Sequence, residues 1–309
     1  MDVTPLGTPP AGSGVARSSR YPVSMLRPGR TLGALGHRAR LKGERAIQRG
    51  HRVVRMTPDG LGFGNFLYLW LRADISQEQG RDYRVLHVPT MDPWLELLPT
   101  VRDRLLIRRE EVRPWDRRDT SWGQRFGEEF TREQLHHFIR RHLLPSELTR
   151  PVESRARTLT VNVRRGDYYS DPDLRGRYAF DIAGYVDQAL TRAVDVGGRV
   201  DQVVVVSDGI EWCRASLDGL LSRDGAHVTY ASAAASPMNH FRTVSTSSRI
   251  IGTNSTFSYW AAYVSNVLHG RESQVIMPAF HARHMDAGRA YQLDPNWEII
   301  QDIPGGWDG

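Results

Sequence analysis

The clearest potential for chemistry lies in one heptapeptide, Val-Asn-Val-Arg-Arg-Gly-Asp at 161–167. Arg164 and Arg165 follow a β-branched run, and Gly166 and Asp167 then form a predicted tight turn. Guanidinium groups stay charged at any working pH, and their planar forks match the oxygens of a phosphate. Open α/β sheets bind ligands beyond the carboxyl ends of their strands. The pair therefore predicts a diphosphate site for a nucleotide or nucleotide-sugar, the alternative being a structural clamp on Asp167.

A second polar group, made of Asn254, Ser255, Thr256 and Ser258, follows an apolar strand pattern and opens a predicted helix. Backbone N–H groups and hydroxyls at a helix N-terminus form a natural anion site. Ordinary N-capping would need only one of these hydroxyls. Together with the arginine turn in the same predicted sheet, the group predicts contacts to a second phosphate.

Two further residues are candidates for nucleotide contacts. Asp208 ends a Val-rich strand pattern, where a carboxylate can accept hydrogen bonds from a guanine ring or a ribose, or cap the next helix. Gly60, Gly62 and Gly64 precede Asn65 without the spacing of a dinucleotide-binding loop. Such glycines indicate a close approach of the backbone to a neighbour, and Asn65 is the polar group placed there.

The elements that must position these residues alternate between strands and helices. Continuous Val-rich strands separated by helices predict parallel sheets that are covered on both faces. The segment 95–130 shows no clear pattern, and the strand at 274–277 is the last one predicted. The predicted strands are 52–56, 83–88, 158–164, 202–207, 227–231, 249–253 and 274–277, and the predicted helices are 65–75, 131–144, 181–194, 209–221, 237–247 and 255–267.

The chain of 309 residues is long enough for two domains. We predict an α/β fold of two Rossmann-like domains whose parallel sheets face a cleft. The predicted divisions are a basic, disordered tail at 1–50, an acceptor-side α/β domain at 51–150, and a nucleotide-sugar-binding domain at 151–309.

The net charge of +6 is concentrated at the start of the chain. Residues 1–50 contain nine basic and two acidic residues, a sum of +7, which leaves −1 for 51–309. The nearly neutral charge of residues 51–309 argues against a nucleic-acid partner. The basic tail is either a solvated extension or a peripheral contact with an anionic membrane surface.

Targeting signals and metal motifs are weak. No apolar run approaches the ~20 residues of a membrane span, and no secretory signal is recognised. Cys213 is the single cysteine of the chain. We therefore expect a cytoplasmic protein, in contact at most with the inner face of the membrane. Asp171 and Asp173 form a D-x-D pattern, but two arginines already supply the charge that a divalent ion would, so no metal is expected.

These motifs resemble glycosyltransferase family 11, the α-1,2-fucosyltransferases of the GDP-fucose-using superfamily. The resemblance is dense over 158–280 and thin over 52–75. The stretches that carry it are Asn162-Val-Arg-Arg-Gly-Asp-Tyr168, Ser207-Asp-Gly-Ile-Glu-Trp-Cys213, Asn254-Ser-Thr-Phe-Ser-Tyr-Trp260, Val275-Ile-Met-Pro278 and Gly62-Phe-Gly-Asn65.

The resemblance implies a GT-B-like fold, GDP-fucose as donor, inversion at the anomeric carbon, no metal or other cofactor, and a glycan or glycolipid acceptor. It implies that Arg164 and Arg165 bind the diphosphate, helped by Ser255 and Thr256, and that Asn162 and Asp208 face the guanine. Asp167 is the candidate general base, with anchoring of the arginines as its alternative role.

The chain departs from the family pattern at three positions, one of which is Phe66, where the family has glutamine. Asn162 stands where the family has histidine, and Gly209 where it has aspartate. Two alternatives therefore stay open. The same fold could use another nucleotide-sugar, or the chain could be a non-catalytic nucleotide-sugar-binding subunit of polysaccharide assembly.

Overall fold

The computed structural model describes residues 51–151 and 157–308 of the chain. The predicted disordered tail at 1–50 lies outside these residues. The strands are β1 Val53–Arg55, β2 Tyr83–Leu86, β3 Leu106–Ile107, β4 Arg117–Asp119, β5 Thr158–Val163, β6 Gln202–Ser207, β7 His227–Tyr230, β8 Arg249–Gly252, β9 Gln274–Pro278 and β10 Glu298–Ile300.

Ten α-helices connect the strands within the described residues. They are α1 Phe63–Glu78, α2 Asp92–Leu95, α3 Pro99–Leu105, α4 Arg132–Phe138, α5 Gly166–Ser170, α6 Pro172–Tyr178, α7 Ile182–Gly197, α8 Ile210–Leu221, α9 Pro237–Ser245 and α10 Thr256–His269. A π-helical stretch, Ile139–Leu143, continues α4.

The strands form two parallel sheets, so the predicted α/β class with two parallel sheets is confirmed. The first sheet has the order β3-β2-β1-β4, and the second has the order β10-β9-β8-β5-β6-β7. In the second sheet, β6 and β7 extend to one side of β5, whereas β8 to β10 extend to the other. Ligands of parallel sheets bind at such a reversal of strand order, beyond the carboxyl ends.

Local sequence explains where the helices begin and end. Thr131 caps α4, with Gln134 completing the predicted capping box. The Asp181 side chain accepts a hydrogen bond from the backbone N–H of Gly184 and so caps α7, which ends at Gly198 with φ of 73°. Strands β5 and β8 are buried along almost their whole length, because helices cover both faces of the sheet.

One hydrophobic cluster crosses from the first half of the chain to the second. Tyr68 and Trp70 of α1 are buried in it together with Trp260 and Tyr263 of α10. The ring centroids of Tyr68 and Trp260 lie 5.1 Å apart, and the hydroxyls of Tyr68 and Tyr263 are 3.3 Å apart. The two sheets therefore share a core, and the predicted domain division near residue 150 stays a prediction.

Two sequence-based expectations were incomplete. The unassigned segment 95–130 contains α3, β3 and β4, and β4 is the charged sequence Arg-Arg-Asp, which carries no strand-like alternation. The strand at 274–278 is not the last one, because β10 pairs with its outer edge. Each of these three strands has only two or three residues, too few for a periodic signal.

Candidate functional site

A pocket of about 570 Å³ lies between the two sheets. The first half of the chain contributes residues 60–66, Thr90 and Trp94 to its lining. The second half contributes the segments that follow β5, β6 and β8, including Arg164, Asp208 and Thr256. The pocket thus occupies the carboxyl edge of the second sheet, where the reversal of strand order leads us to expect a ligand.

Arg164 is the cationic residue that the turn after β5 presents to this pocket. Its Nη1 donates to Asp208 Oδ2 and its Nη2 to Asp167 Oδ1, both at 2.6 Å. A guanidinium has five N–H donors. These two pairs use two of them, and Arg164 has no other side-chain hydrogen bond within the described chain. Three N–H groups therefore remain for a ligand.

Asp208 holds the arginine turn in place. Besides pairing with Arg164, it accepts hydrogen bonds from the backbone N–H groups of Arg165 (2.7 Å) and Gly166 (3.1 Å). The backbone N–H of Arg164 donates to Thr253 Oγ1 at 2.9 Å, which ties the turn to the end of β8. Asp208 was predicted to contact a nucleotide; in this structure its oxygens fix the backbone that presents Arg164.

Arg165 lies beside the pocket and not among the residues that line it within the described chain. Its guanidinium carbon is 4.2 Å from the ring centroid of Tyr169 and 4.1 Å from that of Trp212. Burial there lowers the pKa of the Arg165 guanidinium. A Cβ atom at Gly209 would lie 2.9 Å from Arg165 Cβ, so the glycine makes room for this side chain. The departure from the family pattern at 209 is thus coupled to the position of Arg165.

Asn162 lines the pocket, but neighbours use part of its amide. Its Nδ2 donates to the carbonyl of Val206 at 3.1 Å, and its Oδ1 accepts from Ser258 Oγ at 2.7 Å. Ser258 is fully buried and so positions Asn162. One amide N–H of Asn162 remains for a ligand.

The residues at the start of α10 divide into two groups. Ser255 and Thr256 line the pocket, and Ser255 Oγ also caps the helix by accepting from Phe257 N. The Thr256 hydroxyl makes no hydrogen bond to another described residue. Asn254 is 1% exposed, and its Nδ2 donates to the carbonyls of Tyr178 and His281, both at 2.8 Å. Its observed contacts are therefore structural.

The glycine-rich loop brings the N-terminus of α1 against that of α10. A Cβ at Gly64 would lie 2.5 Å from the carbonyl carbon of Thr256 and 2.6 Å from Phe257 N, which is the close backbone approach expected of this loop. Helix α1 begins at Gly62 without a side-chain cap, and Asn65 lines the pocket beside it. Two helix N-termini with free N–H groups thus border one pocket.

Sequence reasoning did not single out several residues of this pocket. The rings of Tyr168 and Tyr178 are stacked with centroids 4.4 Å apart and form one wall. Burial and the neighbouring Tyr178 raise the pKa of Tyr168. Arg164 lies over Tyr168, with its guanidinium carbon 5.2 Å from the ring centroid. The adjacent tyrosines after Asp167 were the available signal, but their partner Tyr178 lies on another helix.

The charges of the lining are one guanidinium, from Arg164, against two carboxylates, from Asp167 and Asp208. An anion bound here must therefore draw on the free N–H groups of Arg164 and on the N-termini of α1 and α10. The arrangement suits an anion that receives many directed hydrogen bonds.

Within the described residues, one cluster of side chains with metal-ligand chemistry lies away from the pocket. Ligand atoms of Asp74, Glu78 and His137 lie within 4.8 Å of one another. Arg141 already pairs with Asp74 and Glu78, so a cation would compete with a guanidinium. None of these residues lines the pocket.

Within the described residues, every helix is too short or too polar to cross a bilayer.

Two parallel sheets with a shared cleft form the GT-B type of architecture. The sequence profile described as "Glycosyl transferase family 11" matches residues 127–301. The chain therefore belongs to glycosyl transferase family 11.

Curated relatives match a part of the chain. The galactoside alpha-(1,2)-fucosyltransferase 1 of Plecturocebus brunneus is 33% identical over 112 residues, which are 34% of this chain and 28% of the relative. The protein of the same name from Alouatta belzebul is 30% identical over 136 residues, which are 43% and 35% of the two chains. The matched stretch thus spans about a third of the length of these relatives.

Two solved structures are similar at low sequence identity. A mutant of Arabidopsis thaliana FUT1 in complex with GDP has a TM-score of 0.45 and 10% identity, covering 87% of this chain and 82% of that one. The iron-containing dodecameric glycosyltransferase TibC of enterotoxigenic E. coli has a TM-score of 0.43 and 12% identity, covering 84% and 64%.

Proposed function

We propose that this protein is a glycosyltransferase, an inverting fucosyltransferase that moves fucose from GDP-fucose to a hydroxyl of a galactoside-bearing glycan or glycolipid. The observation that carries the proposal is the Arg164 guanidinium, which Asp167 and Asp208 hold in a pocket bordered by two helix N-termini. Membership of the family supports glycosyl transfer. The names of the curated relatives support fucose as the sugar and a galactoside as the acceptor.

In the proposed reaction, an acceptor hydroxyl attacks C1 of the donor from the face opposite the diphosphate. The bond between C1 and the phosphate oxygen breaks, and negative charge develops on the departing GDP. The three remaining N–H groups of Arg164, the Thr256 hydroxyl and the N–H groups of α10 stabilise that charge. Preorganised donors of this kind are often the largest single contribution to catalysis.

The proton of the acceptor hydroxyl needs a base. Asp167 lines the pocket, and its Oδ1 accepts from Arg164, which leaves Oδ2 available within the described chain. Asp167 is therefore the proposed base, and its pairing with Arg164 also sets the position of the guanidinium. Asn162 would donate its remaining N–H to the nucleotide base, and Asn65 would contact the donor from the side of α1.

A different nucleotide-sugar donor is the second candidate. It is favoured by Asn162, whose oxygen is already bonded to Ser258 and whose type differs from the family's histidine. A thermal-shift panel of GDP-, UDP- and ADP-linked sugars separates the two donors, because a ligand that binds the native state raises the melting temperature. GDP-fucose should give the largest shift.

The principal test compares Arg164→Ala with two controls in a transfer assay from GDP-fucose. Loss of a charge-stabilising donor should lower turnover by about 10² to 10³. Arg177→Ala removes the same charge from an exposed position of α6 outside the pocket and should leave turnover unchanged. Arg165→Ala should have a smaller effect than Arg164→Ala.

Several outcomes would contradict the proposed function. Full activity of Arg164→Ala would refute the role of that guanidinium. Tight binding of GDP-fucose without transfer or hydrolysis by the wild type would indicate a non-catalytic binding subunit. We also propose that transfer needs no metal, and a loss of activity in EDTA that added metal restores would refute this.

We further propose that the basic segment 1–50 brings the enzyme to the inner face of the membrane from the cytoplasm. Its sum charge of +7 would attract an anionic surface with roughly 1 kcal/mol for each basic residue near the bilayer. The full chain should cosediment with vesicles that contain phosphatidylserine and not with purely zwitterionic vesicles. Equal sedimentation with both would refute the electrostatic contact.

A further inference from the structure

We propose that a second pocket, next to the donor pocket, binds a neutral sugar unit of the acceptor, with Trp122 stacked on one face of that sugar. This pocket has a volume of about 290 Å³, and we call it the Trp122 pocket. The inference rests on the proposed function, since it states where the acceptor of that reaction binds. The lining residues that matter are Trp122, Gln124, Arg125, Glu129, Asp286 and Tyr291.

The two pockets are neighbours, joined by an amide–amide hydrogen bond between a lining residue of each. Gln124, which lines the Trp122 pocket, donates from Nε2 to Oδ1 of Asn65 at 2.9 Å, and Asn65 lines the donor pocket. Gln292 donates in turn to Gln124 Oε1 at 3.0 Å, and both glutamines are buried. This arrangement fixes the wall between the pockets, and it leaves the Asn65 amide N–H groups as donors toward the donor side. An acceptor sugar in the Trp122 pocket would therefore lie directly behind the wall of the donor pocket that Asn65 forms.

Trp122 is exposed without a partner for its ring. Its side chain is 38% exposed, and no described aromatic ring or guanidinium stacks on it. A sugar offers the complement, because the C–H groups on one face of a pyranose are apolar and weakly positive, while the face of an indole is negative. Trp115 differs: it is 49% exposed, lies outside the pocket, and has Arg113 6.0 Å from its ring centroid.

The polar rim of the Trp122 pocket suits hydroxyl groups. Glu129 and Asp286 supply carboxylate acceptors, and Arg125 supplies donors. The Arg125 guanidinium pairs with Asp286 at 2.5 Å and lies 4.8 Å from the ring centroid of Tyr291. Two carboxylates against one guanidinium leave a net charge of −1, which disfavours an anionic sugar and favours a neutral one.

The loop that presents Asp286 is held in a costly conformation. Asp286 has a φ of 45° and Ala287 a φ of 54°, both in the left-handed region that residues other than glycine rarely adopt. Strained backbone of this kind persists where the surrounding structure enforces it, and it clusters at ligand sites. The strain therefore agrees with a binding role for the rim.

The test measures the binding of lactose to the wild type and to three variants by saturation-transfer NMR. Trp122→Ala should abolish the lactose signal, Trp122→Phe should retain part of it, and Trp115→Ala should match the wild type. In transfer assays with GDP-fucose, the KM for lactose should rise about tenfold in Trp122→Ala. The affinity for GDP, measured by calorimetry, checks that each variant is folded.

The outcomes distinguish this inference from the proposed function. Lactose binding by Trp122→Ala at the wild-type level, or an equal loss in Trp115→Ala, would overturn the inference. Failure of the wild type to bind lactose would overturn it as well. If lactose binds through Trp122 but GDP-fucose is neither transferred nor hydrolysed, the Trp122 pocket stands and the proposed donor is wrong.

Discussion

Gly64→Ala should disturb both the fold and the donor pocket. The new Cβ would lie 2.5 Å from the carbonyl carbon of Thr256 and 2.6 Å from Phe257 N. Ordinary carbon contacts begin near 3.4 Å, so the starts of α1 and α10 must separate by about 1 Å. Overpacking of this kind costs about 1–3 kcal/mol. Thr256 and Phe257 line the pocket, so the same shift should weaken GDP binding.

Urea denaturation and calorimetric titration with GDP measure the two effects separately. Gly62→Ala is the matched control, because it lies in the same loop, has a φ of −91°, and its added Cβ would meet nothing within 4 Å. Because glycine is preferred over alanine at an N-cap such as Gly62, this change should lower the free energy of unfolding by about 0.5 kcal/mol, without the steric clash. Equal stability and equal GDP affinity in both variants would show that the helix starts are not in rigid contact.

Three further predictions follow from single residues. Asp167→Asn removes one of two carboxylates from the pocket lining, so the affinity for GDP, measured by calorimetry, should rise several-fold. The rate of transfer should fall by about 10² or more, and an unchanged rate would exclude Asp167 as the base. Burial lowers the pKa of His281 to about 4, below its unfolded value near 6.5, so stability should fall as the pH drops from 6.5 toward 4. This histidine should change the free energy of unfolding by at most about 1.4 kcal/mol per pH unit, and urea titrations of His281→Gln should lack that contribution. Gly219→Ala fills open space in α8 and should stabilise the fold by about 0.5–1 kcal/mol in the same assay, whereas a loss would contradict the observed packing.

Much of the second sheet could be predicted from the sequence, because buried parallel strands such as β5 and β6 are continuous Val-rich runs between helices. The starts of α4 and α10 were visible in their capping residues. The strands β3 and β4 were not, since they are two or three residues long and β4 is entirely charged. These strands form by pairing with β2 and β1, which a local pattern does not report.

The candidate site shows the same limit at the level of side chains. Arg164 and Arg165 carry the same signal in the sequence, yet only Arg164 lines the pocket. The difference arises from packing between distant parts of the sequence, because Arg165 packs on Trp212, 47 positions later, in space left by Gly209. Thr253 and Tyr178 likewise contribute through contacts between distant segments.

The shared cluster of α1 and α10 restricts how a substrate can enter. Rotating one half away from the other would expose rings such as Tyr68 and Trp260, which contact each other and are both buried. At ~25 cal/mol per Å² and 150–250 Å² for each ring, exposing the two would cost about 8–12 kcal/mol. Hinge opening on that scale would be rare in each turnover. The donor and GDP therefore exchange with the two halves of the chain held together, through the open side of the pocket that the short helices α5 and α6 border.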